Sequence, residues 1–157
     1  MWGWGGETAL RVNNTSKALG GFASFLWGVL VSIFLYKNKE MTIVIDDEIT
    51  WQGKYVTVAM GNGRFFGGGM KIAPQAMLSD GLLDITILPD LSKAMLLVSL
   101  PKVYSGKHLD IQGVKYSRGK KVTITSPERV LLETDGEMPG QLPLEVELLP
   151  LALQVIT

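Results

Sequence analysis

Short runs in which apolar and polar residues alternate fill the chain from residue 41 onward, and they limit the fold more than any other feature. In residues 144–148, leucine and valine alternate with glutamate, which predicts one strand face toward a core and one toward water. Turn-forming pairs such as Asp46-Asp47 separate the runs. Many short strands with few helices predict a mainly β fold, interpreted as a β-sandwich-like domain. The predicted strands are 41–45, 49–51, 54–60, 82–88, 111–116, 122–125, 130–134, 144–149 and 151–156.

Two stretches predict helices. Residues 18–36 carry no charged side chain, so by length alone they are a candidate membrane span. Glycines and serines dilute this stretch, which favours a long buried or membrane-grazing apolar helix packed on the sheet over a true span. The second helix is short: Ser92 is its predicted N-cap, residues 94–100 form it, and Pro101 disturbs its end.

The length and composition indicate one domain and exclude several classes of site. A chain of 157 residues is expected to be a single domain, with residues 1–40 as an apolar helical lead-in and 41–157 as the sandwich. Fifteen basic and fifteen acidic residues cancel, which argues against a nucleic-acid partner. The absence of cysteine excludes thiol nucleophiles and cysteine-based zinc sites, and it suits a cytoplasmic protein.

A long glycine-rich segment separates the predicted strands 54–60 and 82–88, and ordered loops of this length are usually functional. Its residues 61–67 approach the dinucleotide-binding fingerprint, but the spacing is one residue too long and Pro74 interrupts the expected helix. The glycines at 67–69 do not form a Walker A loop, since the lysine that follows lacks a serine or threonine after it. No known type of nucleotide cradle is therefore recognised.

Two acidic sequences are candidate sites. Asp80-Gly81 is either ordinary turn chemistry or a small cation site, in which the Asp80 carboxylate and backbone carbonyls bind Mg²⁺. Asp84, on the following strand, is a less secure extra ligand. Asp135 and Glu137 follow Glu133 at a strand end, and they form either an exposed acidic hairpin or a base with a metal-facing or substrate-orienting acid.

Two further polar sequences are assigned to the surface. His108, the single histidine, is expected in an exposed loop, with a role as a base as the weaker alternative. Residues 118–121, Arg-Gly-Lys-Lys, are expected to be a solvated hairpin, although they could also contact an anionic headgroup.

The order of motifs carries a resemblance. The sequence VAMGNGRFFGGGMKIAPQAMLSDGLLDITIL, followed by SGKH and then LLETDGE, resembles the C-terminal domain of the diacylglycerol kinase catalytic family, which is related to sphingosine kinases. The resemblance implies a β-sandwich domain on the lipid side of a two-domain kinase. It also implies that Asp135 and Glu137 include the base that deprotonates the lipid hydroxyl. It further implies a structural Mg²⁺ held by the Asp80 carboxylate and the carbonyls of Met77 and Leu82.

The chain departs from that family in one respect. The GGDGT motif of the ATP-binding N-terminal domain does not occur in the sequence. Phosphoryl transfer depends on the positioning of ATP, so we expect a piece of a lipid kinase that is inactive without that domain. The resemblance implies ATP as co-substrate, a lipid such as diacylglycerol as substrate, and peripheral association with a membrane surface.

Two further expectations concern partners. An apolar helix without its neighbouring domain needs cover, for which a homodimer is the expected solution. The alternative function is a non-catalytic lipid-binding or membrane-docking module, and a weaker one is a β domain anchored by a real membrane span.

Overall fold

The alternating runs form strands, and the described part of the chain is mainly β, as predicted. The computed structural model describes residues 2–3, 33, 37–135, 137–150 and 152. One helix, α1, spans Lys93–Ser105, and a 3₁₀ turn follows at Lys107–Asp110. The strands are β1 Trp2–Gly3, β2 Lys39–Ile45, β3 Ile49–Gly61, β4 Leu83–Pro89, β5 Lys115–Gly119, β6 Lys121–Thr125 and β7 Leu144–Glu147.

All seven described strands belong to one antiparallel sheet. Six of them lie in the order β5-β4-β3-β2-β6-β7, and β1 pairs with β3 beside this path. The strands β5 and β6 are separated in sequence by Lys120 alone, yet β4, β3 and β2 lie between them in the sheet. A single residue cannot bridge four strand spacings of about 4.8 Å each in a flat sheet, so the sheet must be strongly curved.

The contact between Gly119 and Ile45 shows how far the sheet folds over. Ile45 pairs with Ile49, the first residue of β3. Gly119 pairs with Leu83 of β4, which lies beside the last residue of β3. A straight strand of 13 residues would hold these ends about 43 Å apart at about 3.3 Å per residue. A Cβ placed on Gly119 would nevertheless lie 2.4 Å from Cγ2 of Ile45. The sheet therefore doubles back on itself.

The pairing register of β3 with β4 shifts between Tyr55 and Thr57. Such irregularities bend a strand and increase its twist. Residues from both halves of the sheet share one buried cluster, which includes Met41, Ile43, Ile45, Val58, Ile85, Ile87, Val122 and Ile124. The β-sandwich prediction thus corresponds, in the described residues, to one folded sheet around a core and not to two separate sheets.

Several predicted boundaries were wrong. The predicted strands 49–51 and 54–60 are one strand, because the chain continues through Gly53 in extended pairing with Met41. The predicted strand 111–116 begins only at Lys115, since residues 111–114 form a turn in which the Val114 N–H donates to the Ile111 carbonyl at 3.1 Å. Residues 130–134 make only isolated bridges to 137–141.

Helix α1 is longer than predicted. The Ser92 side chain accepts a hydrogen bond from the Met95 backbone N–H at 3.3 Å, so the predicted N-cap is confirmed. The helix does not end near Pro101 but continues to Ser105. Gly106, in the left-handed conformation, caps that end by donating to the carbonyls of Lys102 and Val103.

The long apolar helix predicted for 18–36 falls outside the described residues except for Ile33, so the structure does not support it. The predicted strand 151–156 also falls outside them except for Ala152. Searching the described residues for a helix long and apolar enough to cross a membrane finds none.

Candidate functional site

The glycine-rich loop between β3 and β4 is held by its own hydrogen bonds. Phe66 and Met70 form a small antiparallel bridge with N–O distances of 3.0 and 3.1 Å. The Arg64 Nε donates to the carbonyl of Ala76 at 3.0 Å, which joins the two halves of the loop. Buried loop residues pack on the sheet and on α1 in a cluster of Ala59, Met70, Ile72, Ala73, Ala76 and Val103. An ordered loop of this length supplies fixed positions for a site.

His108 binds a backbone carbonyl of this loop, and the prediction that its side chain is exposed was wrong. The side chain is fully buried, and its Nε2 lies 3.0 Å from the carbonyl of Ile72. That carbonyl also accepts a hydrogen bond from Thr86 Oγ1 at 2.9 Å. A carbonyl only accepts, so Nε2 carries the hydrogen. Burial lowers the pKa of His108 below its usual 6.5, and the bond to Ile72 partly opposes this shift.

The Asp80 turn has a carboxylate oxygen without a hydrogen bond. Leu82 N–H donates to Oδ1 of Asp80 at 3.1 Å, and the Asp80 N–H lies 3.4 Å from the Met77 carbonyl. Gly81 has a φ of +70°, which glycine adopts at little cost. Oδ2 of Asp80 is buried and accepts no hydrogen bond among the described residues. This free oxygen is the atom that a cation would contact.

Arg118 connects this turn to the sheet. The predicted solvated hairpin at 118–121 is confirmed only for the exposure of Lys120, because β5 and β6 do not pair and Arg118 is only partly exposed. Its Nη1 lies 3.8 Å from Oδ2 of Asp80, and its Nε lies 3.5 Å from Oδ1 of Asp84. Its Nη2 donates to the carbonyl of Gln75 at 2.8 Å, and its Nε donates to the Tyr116 hydroxyl at 2.9 Å. One guanidinium group thus contacts the loop, the turn and two strands.

Asp84 is the buried member of this group. Its side chain is fully buried on β4, directly opposite Arg118 on β5. The Tyr116 hydroxyl donates a hydrogen bond to Oδ1, while Oδ2 has no partner among the described residues. Burial, and then the bond to Asp84, raise the pKa of Tyr116 above 10, so the phenol remains a donor at neutral pH.

The structure brings Asp80 and Asp84 together through Arg118. The sequence predicted Asp84 as an additional ligand beside Asp80, but it did not predict the contact of Arg118 with both carboxylates. The available signal was the spacing of Tyr116 and Arg118, since residues two apart on a strand share one face. Their partner strand could not be identified from that spacing. No three histidine or acidic side chains among the described residues converge as a metal site, so a cation here must also use backbone carbonyls.

Asp135 and Glu137 lie on a separate exposed hairpin. Thr134 and Glu137 exchange two backbone hydrogen bonds, at 3.0 and 2.9 Å, which close a tight turn. Asp135 occupies this turn with a φ of +50°, and both acidic side chains are exposed. Aspartate is one of the few residues that accept this conformation. The turn leaves both carboxylates exposed, and their role as a base stays a prediction.

The loop also carries apolar side chains that point outward. Phe65 is 64% exposed and Leu78 is 77% exposed, with Met77 beside it. The Lys71 ammonium group lies 6.0 Å from the centre of the Phe65 ring, so a cation accompanies this apolar surface.

Known proteins resemble this chain along most of its length. A family model described as the YegS C-terminal NAD kinase beta sandwich-like domain matches residues 3–157. A diacylglycerol kinase of Mycobacterium tuberculosis (strain ATCC 25618 / H37Rv) is 40% identical over 96 residues, which are 61% of this chain and 31% of that protein. A protein of Stenotrophomonas maltophilia (strain K279a) named "Probable lipid kinase YegS-like" is 28% identical over 151 residues, which are 94% of this chain and 48% of that protein.

Solved structures of known proteins have a similar fold. A diacylglycerol kinase of Bacillus anthracis str. Sterne matches 77% of this chain and 43% of its own, with a TM-score of 0.56 and 19% identity. A second structure from the same bacterium matches 88% of this chain and 45% of its own, with a TM-score of 0.63 and 25% identity. The chain thus spans less than half the length of these relatives. From the folded sheet and the match over 3–157, the chain belongs to the family of YegS C-terminal NAD kinase beta sandwich-like domains.

Proposed function

We propose that this chain is the lipid-binding, base-supplying domain of an ATP-dependent lipid kinase of the diacylglycerol kinase type. The observation that carries the proposal is the family match over residues 3–157, together with relatives named diacylglycerol kinase. The proposed reaction transfers the γ-phosphoryl group of ATP to the hydroxyl group of a lipid such as diacylglycerol, at a membrane surface on the cytoplasmic side.

The proposed base is Asp135 or Glu137. One of these carboxylates removes the proton of the lipid hydroxyl as its oxygen attacks the γ-phosphorus atom, and ADP leaves. The exposed position of both side chains in a tight turn supports this role, because an incoming hydroxyl group can reach them.

The Asp80 turn fits a Mg²⁺ ion that has a structural role. The buried Oδ2 of Asp80 has no hydrogen bond among the described residues, and the carbonyl groups of Met77 and Leu82 flank it in the sequence. Mg²⁺ accepts one or two carboxylates together with carbonyl and water oxygens. Bound there, the ion would neutralise the carboxylate charge and fix the turn.

We propose that the chain alone has no kinase activity. Phosphoryl transfer needs ATP to be positioned and its developing charge to be stabilised, and the sequence contains no recognised phosphate-binding loop. The test measures phosphorylation of diacylglycerol vesicles by the chain alone, and then with the nucleotide-binding domain of a relative added in trans. Activity that appears only in the mixture supports the proposal. Ordinary kinase rates without the added domain contradict the inactivity.

A second candidate function is a lipid-binding module without catalysis, and the outward-facing Phe65 and Leu78 favour it. Flotation with vesicles of anionic phospholipid tests both side chains. The double replacement of Phe65 and Leu78 by serine is expected to abolish flotation, whereas Ile49→Ser, at an apolar residue 37% exposed on β3, serves as the control. Flotation without any rescued kinase activity would favour this second function.

A further inference from the structure

Arg118 faces two carboxylates that differ in how they are held. Asp84 is fully buried and receives a hydrogen bond from Tyr116. Asp80 is oriented by the backbone N–H of Leu82, which binds its Oδ1. Arg118 is therefore not needed to orient either carboxylate, although its charge lies within 4 Å of both, at 3.5 and 3.8 Å.

The guanidinium group does not satisfy the free oxygen of Asp80. Its Nη1 lies 3.8 Å from Oδ2, which exceeds the distance of a hydrogen bond. Its Nη2 is committed to the Gln75 carbonyl and its Nε to the Tyr116 hydroxyl. Arg118 thus attracts the Asp80 carboxylate through its charge without a hydrogen bond, and Oδ2 of Asp80 remains available to another cation.

The anchoring of the loop does not depend on Arg118 alone. Arg64 donates to the carbonyl of Ala76, the residue after Gln75, so a second guanidinium group holds the same segment. Loss of Arg118 would remove a charge from the site, but Arg64 would still hold the segment before the Asp80 turn. An experiment can therefore separate the effect of the Arg118 charge from an effect on the position of the turn.

We propose that Arg118 is a built-in counter-ion of Asp80 and Asp84 that competes with a divalent cation at the Asp80 turn and so sets the affinity of that turn. The proposal rests on the cation site described under Proposed function. Like charges a few ångströms apart in a partly buried site repel strongly. Removing the guanidinium charge should therefore tighten binding of a divalent cation. The cation is then no longer repelled by Arg118, and it becomes the counter-ion of the Asp80 and Asp84 carboxylates.

The test is calorimetric titration of the purified chain with MgCl₂, repeated with MnCl₂ as a probe whose free concentration is followed by electron paramagnetic resonance. Arg118→Gln is expected to tighten binding of both ions by about tenfold or more. Arg118→Lys keeps the charge and is expected to bind within about threefold of the wild type. Lys120→Gln removes one charge from the connection between β5 and β6, at a side chain that contacts neither carboxylate, and it too should stay within about threefold.

Weaker binding by Arg118→Gln, or tightening by Arg118→Lys equal to that of Arg118→Gln, would overturn the proposal, because Arg118 would then act through position. Asp80→Asn separates this result from failure of the site itself. If Asp80→Asn binds the ions as the wild type does, the cation site is wrong and the inference falls with it. If Asp80→Asn abolishes binding while Arg118→Gln leaves it unchanged, only the role of Arg118 is wrong.

Thermal unfolding supplies a second readout. Without divalent cations, Arg118→Gln should melt at a lower temperature than the wild type, because Asp84 is left buried without its counter-ion. Addition of Mg²⁺ at about 10 to 20 times its dissociation constant should then raise the melting temperature of the variant and recover part of the loss. A variant that melts lower and gains nothing from Mg²⁺ has lost packing alone, which contradicts the competition.

Discussion

Gly119 stands where the two halves of the folded sheet meet, and no side chain fits there. A Cβ would lie 2.4 Å from Cγ2 of Ile45 and 2.8 Å from Oδ2 of Asp46. Ile45 is fully buried, so it has little room to move. Asp46 is also fixed, since its Oδ1 accepts hydrogen bonds from the backbone N–H groups of Lys120 and Lys121 at 2.8 and 2.7 Å. This position therefore demands glycine for reasons of space.

The Gly119→Ala variant is expected to lose about 1–3 kcal/mol of unfolding free energy, the usual cost of overpacking a core. Urea unfolding followed by circular dichroism measures the loss. Gly63→Ala is the matched control, because nothing lies within 4 Å of a Cβ at that position. Equal stability of the two variants would show that the sheet halves can separate to admit a methyl group.

His108 gives the stability a specific dependence on pH. Its pKa is lowered in the folded state, so the unfolded chain binds more protons between that value and about 6.5. Its contribution to stability is therefore complete above about pH 6.5 and is lost as the pH falls through that window. His108→Gln, which keeps an N–H group but cannot be protonated, should show a smaller loss between pH 7.5 and pH 5. Urea midpoints at both values give the two slopes, and parallel slopes would contradict the prediction.

At the scale of elements, α1 depends on its two ends. Ser92 supplies an oxygen to the first turn, and Gly106 closes the last turn with a φ of +76°. Gly106 also touches the glycine-rich loop, since a Cβ there would lie 3.0 Å from Cδ of Lys71 and 3.1 Å from Cβ of Pro74. The helix end and the loop are therefore packed as one unit.

Ser92→Ala is expected to reduce the unfolding free energy by about 1 kcal/mol, because the Met95 N–H loses its partner. Ser92→Asp retains an oxygen acceptor and should remain close to the wild type. Thermal unfolding of the three proteins compares them. A loss for the aspartate variant equal to that for alanine would show that the hydroxyl contributes in some other way.

The sequence predicts those elements that depend on neighbouring residues. Alternation in the sequence predicts β2, β4, β6 and β7, and Ser92 predicts a helix cap; these patterns are local, and the structure has all five elements, with β4 buried on both faces. The burial of His108 is not local, because its partner Ile72 lies 36 residues away. The same holds for Arg118, whose partner carbonyl at Gln75 is 43 residues distant. Contacts of this kind follow from how the sheet folds, which no single stretch of sequence contains.

At the scale of the whole molecule, the catalytic proposal can be tested in a mixture with an ATP-binding domain. In the mixture with an ATP-binding domain, one of Asp135→Asn and Glu137→Gln should reduce kcat by about 10²–10⁴-fold, the usual contribution of a general base. Glu48→Gln, which replaces an exposed acid in the turn between β2 and β3, is the control. Full activity of both variants would exclude this hairpin as the source of the base.

The connection between β5 and β6 has a consequence for how the domain tolerates changes of length. Lys120 alone spans the distance from one half of the doubled sheet to the other. An inserted residue there would break the two hydrogen bonds from Lys120 and Lys121 to Asp46, which hold this connection against the end of β2. The segment 62–83 lies between the paired residues Gly61 and Asp84, so extra residues could loop out from it without moving either strand. Insertions should therefore be tolerated in the loop between β3 and β4 and should destabilise the domain in the connection between β5 and β6.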